Sequence, residues 1–304
     1  MKRVLSILTY NIWFGDPILE NSSFPTDNER FRGIIKLLLK FKPDIICLQE
    51  VTQEAFHLLF ANKRLQKLYN FNIQYFRRTY GELILCKYKI VDSKIIKFNN
   101  TMMDRDLNLI KIKVNNIDTN IITAHLESVF SNYHSHIKIN QYKHILTKFK
   151  NTKNSIFVGD TNLLNHEESK INSLTKKYNW NDGWIKDGSK LNKKYSYDYK
   201  YNMYVKMKNK KHQSRFDRVI YKTDNLILKS FDFIGKKKLI EKYNNKYQLS
   251  DHFGILTKFR IVKAKSKTNT IKERRQRCRD KNLIYDVKTQ KCRPRKRNRK
   301  ITKI

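Results

Sequence analysis

Six short apolar runs in this 304-residue chain each carry an acid, an amide or an imidazole at one end, and no other feature limits its fold so tightly. Asn11 follows "VLSILTY", Glu50 follows "DIICLQ" and His125 follows "IITA". Asp160 and Asn162 follow "SIFVG", Asp217 lies within "RFDRVIY", and Asp251 and His252 precede "FGIL". Each alone has an ordinary explanation: an Asp or Asn that turns the chain, or a structural histidine. Together they mean more, because half-buried polar groups need partners. Strands lying side by side supply those partners by gathering their polar ends.

Helical patterns alternate with these runs. In "TDNERFRGIIKLLLKFKPD" the residues Phe31, Ile34, Ile35, Leu38 and Leu39 recur at helical spacing. Thr26 or Asp27 is the expected cap, and Pro43 follows the end. "HIKINQYKHILTKFK" places Ile137, Tyr142, Ile145, Leu146 and Phe149 on roughly one side. "GELILCKYKI" and "LNLIKIKVNN" read as a strand and part of a hairpin, and "TNIITAHLES" as another strand. Mixed strands and helices predict an α/β or α+β domain over residues 1–262, without internal repeats.

Beyond residue 262 the composition changes. Residues 263–304 hold eighteen Lys/Arg and three acids, and the stretch reads as a solvated, disordered basic tail. Cys278 and Cys292 flank "RDKNLIYDVKTQK"; they are either two free thiols or the closure of a small hairpin, and without histidines they make a poor zinc site. The segment resembles two-cysteine modules of large DNA virus proteins. Arg293, Arg295, Lys296, Arg297, Arg299 and Lys300, in "RPRKRNRK", are candidate phosphate contacts or a nuclear localisation signal.

The net charge is +38, which favours a polyanionic partner, although an A/T-rich genome also enriches lysine. No run of eighteen apolar residues is present, so no membrane partner is expected. The N-terminal apolar stretch imitates a signal peptide, but Tyr10, Asn11 and Trp13 interrupt it and favour a first strand. Four cysteines are few, with Cys47 and Cys86 in apolar runs, which points to a reducing, intracellular setting. Nuclear or virion-associated destinations suit the tail.

The gathered residue types suit hydrolysis of a phosphate ester. Mg²⁺ takes oxygen ligands from one or two carboxylates, and Glu50 is a suitable donor. Asp160 is the candidate to orient or deprotonate water. His252 paired with Asp217 can stabilise charge on phosphoryl oxygens. Amides from Asn11 and Asn162 orient phosphate or carboxylate without adding charge. Neither a Walker loop nor a nucleophile elbow competes.

"TYNIW", "LQEV", "GDTNL", "FDRVIY" and "SDHFG" occur in the order of the endonuclease/exonuclease/phosphatase family, and the chain resembles that family from Lys2 to Phe259. With "HLES" (125–128), the likeness is closest to its 5′-tyrosyl-DNA phosphodiesterase subgroup. The resemblance implies an α/β/β/α sandwich of four layers (DNase I-like) and hydrolysis dependent on Mg²⁺, with Mn²⁺ as an alternative. It implies that Glu50 binds metal with Asp251 in support, Asp160 and Asn162 place water, His252 contacts phosphate with Asp217 orienting it, and Asn11 and His125 assist. The chain departs from the subgroup in "NIWFG" where Asn-Ile-Asp-Gly is usual, in Leu164 and Asn165 where Arg-Asp is usual, and in a tyrosine of "YSYDYKY" at an aromatic position. The expected substrate is 5′-phosphotyrosyl DNA, acted on by a monomer. Alternatives are an AP-endonuclease-like or general nuclease, an inositol-phosphate or phospholipid phosphatase, and a basic packaging protein. The last fits poorly, because clustered carboxylates repel nucleic acid unless a cation bridges them.

Overall fold

The computed structural model describes residues 3–15, 24–76, 78–128, 135–208, 211–242, 244–262, 271–287, 289 and 291–294. Twelve strands build its two large sheets. They are β1 (Val4–Asn11), β2 (Ile45–Thr52), β3 (Asn70–Phe71), β4 (Tyr80–Cys86), β5 (Ile90–Lys97), β6 (Asp106–Val114), β7 (Ile117–His125), β8 (Asn154–Asp160), β9 (Asn181–Asp182), β10 (Asp217–Thr223), β11 (Leu226–Ile234) and β12 (Gly254–Ile261). The first sheet has the order β11–β12–β1–β2–β4–β3 and the second β5–β6–β7–β8–β10–β9. Each contains one parallel pair, β1 with β2 and β7 with β8.

Side-chain alternation makes four layers. Leu5 and Ile7 of β1, Ile45 and Cys47 of β2, Ile156 and Val158 of β8, and Ile121 of β7 pack between the sheets. The opposite faces of the same strands take helices. Leu8, Tyr10 and Ile46 meet the helix Asp27–Phe41, and Ile122, Ala124 and Phe157 meet the helix Ser135–Lys148. This is the expected α/β/β/α order.

The first helix starts where its cap dictates. Glu29 N–H donates to Thr26 Oγ1 at 3.2 Å and Thr26 N–H returns a bond to Glu29 Oε2 at 2.7 Å, a reciprocal cap. Lys42, at φ 44°, ends it just before Pro43. "GELILCKYKI" does not form one strand. Its two halves belong to β4 and β5 in different sheets, with residues 87–89 crossing between them. Its continuous apolar run hides that division. Among the described residues no helix is long and apolar enough to cross a membrane.

The chain divides into two compact units, Met1–Val262 and Lys263–Ile304. The second unit is described over 271–287, 289 and 291–294. A helix, Ile271–Asp280, precedes a hairpin of Leu283–Asp286 with Lys291–Pro294, and Cys278 is bonded to Cys292. Composition registers the charge of this stretch but not the pairing of its cysteines. Cys47 and Cys86 are free and buried. Arg293 is exposed, and Arg295, Lys296, Arg297, Arg299 and Lys300 lie outside the described residues.

Candidate active site

Strand parity delivers most of the candidate residues to one place. On β1, Leu5, Ile7, Thr9 and Asn11 share the inter-sheet face; on β8 it is Ile156, Val158 and Asp160, and on β7 Ile121, Thr123 and His125. Register then fixes spacing. Asp160 lies opposite both His125 and Asp217 in its sheet. Across the gap, Asn11 Nδ2 donates to Asp160 Oδ2 at 2.9 Å and to Glu50 Oε1 at 2.8 Å, joining the sheets through one amide. Asn11 Oδ1 accepts from Trp13 N–H at 2.9 Å, which fixes the amide's orientation.

Glu50 breaks the parity. Alternation would send it with Ile46 and Leu48 toward the helices, but β2 shifts register between Leu48 and Val51 and Glu50 adopts φ 58°. This bulge turns its carboxylate into the site, where Phe14 N–H donates to Oε2 at 3.2 Å. Asn162, at φ 50°, donates its N–H to Asp160 Oδ1 at 2.9 Å, and its own carbonyl accepts from buried Lys138 at 2.9 Å. Gly159 is required for another reason: a Cβ there would stand 2.1 Å from the Ala124 carbonyl oxygen. Left-handed backbone at Trp13, Glu50 and Asn162 surrounds the site, the pattern of a preorganised centre.

His252 Nδ1 meets Asp217 Oδ2 at 2.7 Å, leaving Nε2 at 3.7 Å from Asp160 Oδ2 and 4.0 Å from Asp251 Oδ1. Burial opposes charge on this imidazole, but Asp217 and Asp160 outweigh it and raise its pKa to about 10. It is therefore imidazolium at neutral pH. Burial, resisted by His252, raises Asp160 to about 6. Burial and then Asp251 push Glu50 upward. His125 Nε2 stands 3.5 Å from Asp160 Oδ2, and burial, with Arg105 and His252, holds it well below the usual histidine range. It is neutral. Asp251 pairs with Lys208 at 3.1 Å, while its Oδ1 and the Oδ1 of Asp217 are buried and accept no hydrogen bond.

The eight residues Asn11, Glu50, His125, Asp160, Asn162, Asp217, Asp251 and His252 thus form one constellation at the floor of a cleft of about 710 Å³, with Asn11 and Asp217 just behind its lining. Tyr197 is the tyrosine of "YSYDYKY" that reaches it, its ring 5.2 Å from that of His252. Sequence reasoning missed Arg105. Its side chain is buried in the wall near His125 and 5.3 Å over the Tyr80 ring, its Nε has no partner, and it makes no ion pair among the described residues. Nothing in "TMMDRD" marks it, because a loop residue's burial is a tertiary fact. Glu82 was also missed; it accepts the His125 N–H at 3.0 Å.

Two groups of potential metal ligands overlap on Asp160: Glu50 with His125 and Asp160, and Asp160 with Asp217 and His252. Clustered carboxylates with unfilled oxygen lone pairs suit a hard divalent cation.

A cleft at the edge of two sheets, floored by carboxylates, amides and a charged imidazole, defines a phosphodiester hydrolase. The model of the Endonuclease/Exonuclease/phosphatase family matches residues 8–252, and the chain belongs to that family. It is 32% identical over 270 residues to tyrosyl-DNA phosphodiesterase 2 of Rattus norvegicus, covering 86% of this chain and 68% of that one. Among solved structures it superposes on a humanized D. rerio tyrosyl-DNA phosphodiesterase 2 with a TM-score of 0.70 at 25% identity, over 84% of this chain and 98% of that one. A D. rerio tyrosyl-DNA phosphodiesterase 2 complexed with single-strand DNA product gives 0.69 at 26%, with the same coverage.

Proposed function

We infer that this protein hydrolyses the phosphodiester joining a tyrosine to the 5′ end of DNA, with Mg²⁺ as cofactor and Mn²⁺ as an alternative. The observation that carries this reading is the joint delivery of Asp160, His252–Asp217 and Asn11–Glu50 to one cleft of a chain similar to tyrosyl-DNA phosphodiesterase 2. Glu50, supported by Asp251, would hold the metal. That fits the Asp251 Oδ1, buried without a hydrogen bond, and the upward push on Glu50, both relieved by a cation. When bound, Mg²⁺ would polarise a phosphoryl oxygen and offset its charge.

The side chains supply the rest. Asp160, fixed through both oxygens by Asn11 and Asn162, orients the attacking water and accepts its proton. His252, held cationic by Asp217, donates from Nε2 to a phosphoryl oxygen as negative charge grows there. Neutral His125 can donate or accept beside it without adding charge. Arg105 supplies a desolvated cation to the wall. The water oxygen bonds to phosphorus, the bond from phosphorus to the tyrosyl oxygen breaks, and the products are a 5′-phosphate and free tyrosine. A phenolic oxygen, with a parent pKa of about 10, leaves without the strong acid a sugar alkoxide would need. That suits a site whose imidazolium is tuned to retain its proton.

The departures bear on the substrate rather than the chemistry. Trp13 and Phe14 of "NIWFG" and Tyr197 line the cleft, while Leu164 and Asn165 stand where the subgroup has charge. The test is a single-stranded oligonucleotide carrying a labelled 5′-phosphotyrosine, incubated with Mg²⁺, with EDTA, and with the Asp160→Asn variant. Full-length 5′-phosphate product, lost in both controls, is expected. Metal-dependent shortening would indicate a nuclease, and release of inorganic phosphate from inositol phosphates a phosphatase. The viral resemblance of the two-cysteine segment gains no support from the relatives found.

A further inference from the structure

We propose that the C-terminal helix and hairpin form a folded nucleic-acid-binding module, and that the Cys278–Cys292 bond is what folds it. The reasoning rests on this unit alone and does not depend on the catalytic reading. Residues 271–294 carry nine Lys/Arg against three acids. Arg275, Arg277, Arg279, Lys281 and Lys291 are exposed and make no ion pair among the described residues; Arg293 pairs with Asp286.

The unit has almost no core. Cys278, at 0% exposure, is its one buried residue among those described, while Ile284 is 53% and Val287 48% exposed. A ten-residue helix is marginal alone in water, and so is a two-stranded hairpin. Mutual repulsion of the cations weakens both further. The disulfide supplies what packing does not. It runs from the helix to the strand Lys291–Pro294, closing a loop of sequence separation 14. Asn282, at φ 58°, ends the helix and turns the chain into the hairpin.

Parity sets the charges outward. Cys292 and its partner Tyr285 share the hairpin face linked to the helix, so Lys291 and Arg293 lie on the other. Arg275 and Arg279, four residues apart, share one helix face. An array of exposed cations, five of them outside any ion pair among the described residues, is suited to a phosphate backbone. Linkage follows: an oligonucleotide that binds the folded module must also stabilise the disulfide.

The test uses the full chain in EDTA, so that no substrate is turned over, with a fluorescent single-stranded oligonucleotide bearing a 5′-hydroxyl. Thiol titration of the unfolded, unreduced chain should find two reactive cysteines; four would overturn the proposal. The oxidised chain should bind about tenfold more tightly than the Cys278→Ser/Cys292→Ser variant, which keeps every charge but loses the preorganised array. Arg275→Gln/Arg279→Gln should weaken binding and flatten its salt dependence with the disulfide intact. Oligonucleotide should protect the disulfide from dithiothreitol. Equal affinity of the cysteine variant and the oxidised chain overturns the proposal by reducing the segment to unstructured charge. Capture by phosphatidylserine vesicles with no binding to oligonucleotide overturns it in favour of a membrane surface. None of these readouts involves Asp160 or His252, so a failed tyrosyl assay leaves the outcome intact.

Discussion

At the scale of single residues, the chemistry depends on two differently tuned groups. Asp160→Asn preserves shape but cannot accept a proton, and should lower the turnover rate by roughly 10²–10⁴ with little change in melting temperature. His252→Ala should cost a comparable factor through lost charge stabilisation. Arg105→Ala should act mainly through KM, because a buried cation without a carboxylate partner gains one when an anionic substrate arrives; Arg105→Lys should rescue part of it. Steady-state kinetics on one oligonucleotide substrate separates these effects. The His252–Asp217 pair also predicts a pH dependence of stability. The folded imidazole titrates near 10 and the unfolded one near 6.5, so folding binds a proton between them. The stabilisation is complete below about pH 6.5 and fades as pH rises through 10. The melting temperature of the wild type should exceed that of Asp217→Asn by a margin that shrinks between pH 7 and 10.

Among structural elements, what could be read from sequence was whatever parity decides. Asn11, His125, Asp160 and Asp217 end strands whose alternation continues unbroken from core to site. Glu50 was found as a polar strand end, yet its inward turn comes from a bulge that no alternation announces. β5 went unread because its side chains lie largely at the surface at a sheet edge, and β11 because lysine and serine interrupt it. Arg105 and Glu82 were hidden because burial of a charged loop or strand residue depends on distant packing. At this scale Gly159→Ala is the sharpest test. Its Cβ would strike the Ala124 carbonyl, forcing β7 and β8 apart. We expect a loss of about 2 kcal/mol or more, read as a lower urea midpoint, with activity falling beyond what the loss of folded protein explains.

For the whole molecule, charge sets the conditions under which the protein works. A chain of net charge +38 should bind oligonucleotides with strong salt dependence, so KM should climb steeply between 50 and 200 mM salt while the turnover rate at saturation holds nearly constant. A substrate of low charge, such as a nitrophenyl phosphodiester, should show a much flatter response. Heat should remove activity and tertiary structure together, since Asn11 bonds both Asp160 of one sheet and Glu50 of the other. Circular dichroism and residual activity, followed along one temperature ramp, should therefore superimpose.

The adjacency of His125, Asp160 and Asp217 on neighbouring strands has a consequence for how such a gene can vary. Length changes in the surface loops leave the three side chains opposite one another, so insertions there alter only what the cleft admits. A single codon lost inside β8 reverses every side chain after it, and Asp160 would face the helix layer beside Phe157's neighbours instead of His252. Tolerance of insertions and deletions should fall sharply at the strand boundaries, and a library scored for activity would trace the sheet as a band of intolerance.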